Sequence, residues 1–133
     1  MDSEGKRPGY RRLARIVFLT GRADGLAGVA AEWARAQGAE WMEARARRLP
    51  GVEAALAVYD EEDRLWADLL VTLDAAALSG ALGRRAGLQH RHYPFEPADG
   101  ISGNELEQAV RRRVEGMLGG LRLMQRAAQD DED

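Results

Sequence analysis

The sequence predicts an α/β fold: a three-layer sandwich in which a mainly parallel, four-stranded sheet is wrapped by helices on both faces in the doubly wound, flavodoxin-like manner. Two observations carry that prediction. Short apolar runs rich in β-branched residues alternate along the chain with segments whose apolar residues recur at helical spacing. The 133 residues, 45% of them hydrophobic, also suffice for one core and are too few for two.

The elements follow in order. Residues 1–10 are polar, contain Gly5, Pro8 and Gly9, and are expected to form a flexible lead-in to a single domain over residues 11–127. Ala14 to Thr20 is almost continuously apolar, as a strand covered on both faces is. Gly21 to Gly25 reads as a turn, after which Leu26, Val29, Ala30, Trp33 and Ala34 mark a helix, with Asp24 as its expected N-cap and Gly38 as its stop. Trp41 to Arg47 alternates in type, which suits a second strand with one wet side. Pro50-Gly51 is expected to open a short helical stretch through Val52, Ala55, Leu56 and Tyr59, and Asp60 to Asp63 an acidic turn. Ala67 to Leu73 predicts a third, central strand and Leu88 to Tyr93 a weaker fourth. From Asn104 onward, Leu106, Val110, Val114, Met117, Leu118, Leu121 and Met124 define one face of a long helix, and residues 128–133 an acidic, disordered tail.

Composition excludes several functions. With no cysteine there is no disulfide, no thiolate metal site and no cysteine nucleophile. A net charge of -3 gives no long-range attraction to nucleic acid or to anionic membrane, and no apolar run is long enough for a signal sequence or a membrane span. A soluble, cytoplasmic protein is expected. His90 and His92 share a strand face but lack a third ligand, so no metal and no cofactor is predicted. The arginine clusters read as a solvated, salt-bridged surface.

In parallel sheets ligands sit beyond the carboxyl ends of the strands, which directs attention to Thr20, Gly21, Arg22, Ala23, Asp24, Gly25 and Leu26. A turn from a buried strand into a helix N-terminus gathers unpaired N–H groups and is a natural anion cradle. The glycine spacing resembles the dinucleotide loop of short-chain dehydrogenases, but the sole lysine, Lys6, lies in the lead-in, which removes both the lysine partner of that family's tyrosine and the lysine of a P-loop.

A broader likeness runs through most of the chain. Ile16 to Gly21 followed by Val29 to Arg35, Asp60 to Leu73, His92 to Ala98 and Val110 to Leu118 resemble, in order and spacing, the low-molecular-weight protein tyrosine phosphatase and arsenate reductase superfamily. Residues 49–59 depart from it by being shorter. The resemblance implies a catalytic cysteine where Leu19 stands, an anion-clamping arginine where Gly25 or Leu26 stands, and a general-acid aspartate where Glu96 stands. Leucine cannot form a covalent adduct, so the resemblance implies a degenerate member: a pseudoenzyme that binds anions weakly or not at all, acting through a protein partner or as a homodimer. Asp24 adds a carboxylate that opposes a dianion in the cradle. The alternatives are a hydrolase with chemistry relocated to Glu96 with Asp24 or His92, and a small-anion or nucleotide binder. Trp33, Trp41 and Trp66 fall on elements expected to pack and read as core residues, with an interface as the alternative for one of them.

Overall fold

The computed structural model describes residues 13–23, 25–38, 40–81, 86–95 and 102–132, the last helix beyond residue 121 as backbone only. In chain order the elements are β1 (Ala14–Thr20), α1 (Leu26–Gly38), β2 (Met42–Arg48), β3 (Ala57–Val58), α2 (Glu61–Trp66), β4 (Leu69–Thr72), α3 (Ala75–Gly80), β5 (Gln89–His92) and α4 (Gly103–Glu132). The strands form one sheet in the order β3-β2-β1-β4-β5, and all four pairings are parallel.

The predicted α/β architecture with a parallel sheet is present, with five strands in place of four. The fifth arises between residues 49 and 59. The expected short helix there is a run of bends ending in β3, an edge strand of two residues held by the Tyr59 N–H donating to the Arg48 carbonyl and by Arg48 Nε donating to the Leu56 carbonyl. Two short helices were not anticipated as such: α2 grows out of the supposed acidic turn, and α3 follows Asp74. The backbone of residues 128–132 lies within α4.

Central β1 is fully buried from Ile16 to Thr20, and strand alternation divides its side chains between two cores. Ile16 and Phe18 join the larger one with Met42, Ala44, Ala46, Leu69 and Val71. Over them α1 lays Leu26, Ala27, Ala30, Ala31 and Ala34, whose small side chains let the helix sit close to the sheet, and α4 adds Val110, Val114, Met117 and Leu118. Where α1 ends, a Cβ on Gly38 would come within 2.8 Å of Met42 Cγ, so the chain turns tightly into β2. Val17 and Leu19 face the opposite layer, a smaller core with Tyr59, Ala67, Leu70, Ala77 and Leu88.

That second face is closed in a different way. Glu43, Arg45 and Arg47 alternate with the apolar residues of β2, and the expectation was a strand side open to water. Instead, α2 docks on it through ions. Asp63, buried to 2% exposure, accepts from Arg45 Nη1 at 2.8 Å and from Arg47 Nε at 3.0 Å, while the Arg45 guanidinium lies 3.8 Å from the centroid of the Trp66 ring. Asp60 caps α2, its carboxylate accepting the Asp63 N–H and the Asp63 carboxylate accepting the Asp60 N–H in return. That backbone hydrogen bond holds the Asp60 carboxyl below the usual aspartate range.

Candidate functional site

The carboxyl ends of β1, β4 and β5 meet beside the loop that leads into α1, and the loop's polar groups are engaged from within. Thr20 is the last residue of β1 and 1% exposed; its hydroxyl donates to Asp74 Oδ2 at 2.9 Å and accepts the Arg22 N–H at 3.1 Å. The Gly21 N–H donates to the Asp74 carboxylate at 3.0 and 3.1 Å. Asp74 is also the N-cap of α3, accepting the Ala77 N–H at 2.8 Å. One buried carboxylate therefore binds the loop to the helix on the far side of β4.

Two glycines shape this turn. A Cβ on Gly21 would lie 2.5 Å from the Ala76 Cβ, so the loop passes against α3 at a distance that only glycine permits. Gly25 has φ +79°, the left-handed region, and reverses the chain into α1. Arg22 turns away from the cradle, and its Nη1 donates to the Phe95 carbonyl at 2.9 Å, tying the loop to the segment after β5.

Leu19 is fully buried within the second core with Ala77 of α3 and Leu88, and Thr20 is the last side chain of β1 before the loop. Ala23 is exposed and Gly25 half-buried, whereas Leu26 is buried as the first core residue of α1. Asp24 and Glu96 lie outside the described residues. Asp74 was not singled out in the sequence, although an aspartate immediately before Ala75-Ala76-Ala77-Leu78 is a readable N-cap signal.

The two histidines converge on a single oxygen. Thr72 Oγ1 is 2.9 Å from His90 Nε2 and 2.8 Å from His92 Nδ1. A hydroxyl beside an imidazole is the pairing that activates a nucleophile, but Thr72 is 0% exposed, and no substrate reaches it. Among the described residues, the one group of three acidic or histidine side chains close enough to surround an ion is Asp60, Glu62 and Asp63, and both Asp63 oxygens are already taken by Arg45 and Arg47. Trp33 bonds Glu115 through Nε1 at 2.8 Å, Trp66 lies against Arg45, and Trp41 is half-buried with its Nε1 enclosed and unpartnered. No helix among the described residues is long and apolar enough to cross a membrane.

The thioredoxin-dependent arsenate reductase of Corynebacterium glutamicum superposes with a TM-score of 0.68 over 86% of this chain and 64% of the reductase, at 12% sequence identity. A second structure, described as an arsenate reductase in its reduced state, superposes with a TM-score of 0.57 over 82% of this chain and 99% of that one, at 13% identity. The fold is that of the arsenate reductases. It is the low-molecular-weight phosphatase-like arrangement that the sequence resemblance implied. The chain spans 64% of the length of the Corynebacterium reductase. No family model and no curated protein sequence matches it. At this identity the likeness carries the fold and no residue roles.

Proposed function

We propose that this chain is a non-catalytic member of the arsenate reductase and low-molecular-weight phosphatase group that works as a binding or regulatory module. One observation carries the reading: the first two N–H groups of the would-be anion loop, those of Gly21 and Arg22, are already satisfied by Asp74 and Thr20. An entering dianion would have to displace a buried carboxylate that shares its charge, and the same electrostatics that draw phosphate to a free cradle then repel it. The chain has no thiol to attack with, and a leucine precedes the loop. Leu19→Cys would place a sulfur in the second core, away from the loop mouth, and is expected to give no turnover.

Isothermal titration with phosphate, arsenate and sulfate, together with para-nitrophenyl phosphate turnover, tests this reading. The wild-type chain is expected to bind none of the three at micromolar concentration and to release no nitrophenol. Asp74→Ala frees the Gly21 N–H and removes the opposing charge, so sulfate affinity is expected to rise by about tenfold. Micromolar anion binding by the wild type, or turnover that survives purification, would overturn the proposal.

A further inference from the structure

Beside the loop, on its outer flank, lies a groove of about 420 Å³ between the segment that follows β5 and the first half of α4, lined by Tyr93, Pro94, Phe95, Ala109, Arg112 and Arg113. Its floor is fixed by backbone bonds: the Tyr93 N–H donates to the Thr72 carbonyl at 2.9 Å and the Phe95 N–H to the Leu73 carbonyl at 2.8 Å. Tyr93 is gripped by two arginines, Arg113 with its guanidinium 4.2 Å from the ring centroid and Arg91 donating to the phenol oxygen at 3.3 Å.

Acidic residues outnumber basic ones, 22 to 19, and several arginines elsewhere pair with them, while Arg35 and Arg48 bond backbone carbonyls. Arg45 pairs with Glu62 and Asp63, Arg47 with Asp63, Arg64 with Glu61, and Arg111, next to the groove but on another side of α4, with Glu107. Arg91, Arg112 and Arg113 have no carboxylate partner among the described residues. Three guanidinium groups thus gather around an aromatic wall without a carboxylate partner among the described residues.

From this juxtaposition we propose that the groove is a docking site for an acidic peptide segment of a protein partner, with the arginines pairing its carboxylates and Tyr93 and Phe95 receiving an aromatic or aliphatic side chain between them. Guanidinium forks match carboxylates in planar, two-bonded geometry, and aromatic residues and arginine are the residue types enriched at protein interfaces. A small anion fits less well, because pockets for small molecules enclose most of the ligand, whereas here Pro94, Arg112 and Arg113 are exposed and the trough is open along its length. A nucleic acid is disfavoured by the chain's net negative charge. The inference stands on the groove alone and holds whatever the loop after β1 does with phosphate.

The test uses the full chain and a fluorescein-labelled peptide of aspartate and glutamate with one central phenylalanine, read by fluorescence anisotropy. Saturable binding is expected, weakening as salt rises. Arg112→Glu with Arg113→Glu should weaken it by about tenfold or more, while Arg111→Glu, one residue away with its charge already paired, should leave it within about twofold. The single changes Arg112→Gln and Arg113→Gln keep a long side-chain stem on α4, and each should weaken binding on its own, so a misfolded double variant leaves the test intact. The proposal is overturned if the wild type shows no saturable binding, if Arg111→Glu weakens binding as much as the double change, if a lysine peptide of the same length binds equally, or if ATP, inorganic phosphate or single-stranded RNA displaces the acidic peptide at lower concentration than unlabelled peptide does.

Discussion

The two faces of the sheet are closed by different physics. On one, α1 and α4 press alanine, valine, leucine and methionine onto Ile16, Phe18 and Val71, and the cohesion is apolar. On the other, a smaller apolar patch is flanked by groups that must be paired: Asp63 with Arg45 and Arg47, Asp74 with Thr20 and Gly21, Thr72 with His90 and His92. Apolar burial is non-directional and tolerates small shifts, whereas a buried carboxylate demands its partners at fixed distances. The first face supplies stability. The second fixes where the loop after β1 and the helices α2 and α3 sit.

That contrast breaks most visibly on the apolar side. Phe18 is 0% exposed, and Phe18→Ala is expected to cost about 3–5 kcal/mol in urea denaturation, with little dependence on salt or pH. On the polar side, Asp63→Ala leaves two arginines facing each other without their shared counter-ion. Its cost is expected at about 2 kcal/mol, reduced from the figure for a fully buried pair because Arg45 and Arg47 keep 26% and 22% of their side-chain surface in water. High salt should shrink that loss by screening the repulsion, and equal losses at low and high salt would show that packing, not charge, holds α2.

The smallest effect is a pH dependence at the start of α2. The folded state holds the Asp60 carboxyl below its unfolded value, so its contribution is present above the unfolded pKa and is lost as pH falls into and below the range of about 4. Asp60→Asn keeps an acceptor for the Asp63 N–H but removes the titration. The variant should match the wild type near neutrality in thermal melts and lose part of the decline in acid; an unchanged acid limb would assign that decline to other carboxylates.

Much of the apolar face was legible in the sequence. The run from Ile16 to Leu19, the spacing of Leu26, Ala30 and Ala34, and the stripe from Val110 to Leu118 all declare burial through composition and period, and the structure buries them. The polar face was harder to read, because its signals are single residues whose partners lie far along the chain. Asp63 appeared as one of four acidic residues in a turn, although the Asp60 and Asp63 spacing is that of a reciprocal cap. β3 has two residues and so no period at all. At the candidate site the loop was found from its place after a buried strand, while the pleat, which a count of residues does not show, turns Leu19 into the second core. Asp74, 53 residues from the glycine it holds, is reached only through the fold.

The meeting of His90 and His92 on Thr72 also links the hydrogens of the two rings. A hydroxyl carries one hydrogen, and the other acceptor near it, the Arg91 carbonyl, is 3.5 Å away and competes poorly. When that hydrogen lies on one imidazole, the ring accepts it while the other ring donates to the same oxygen. Because one ring approaches through Nε2 and its neighbour through Nδ1, those opposite roles require the same tautomer in both neutral rings: either both carry hydrogen on Nδ1 or both carry it on Nε2. With both rings neutral and the Thr72 hydrogen on one of them, the rings change tautomer together, so this pair on an edge strand acts as one two-state unit, and nitrogen chemical shifts of the two histidines should report one state between them.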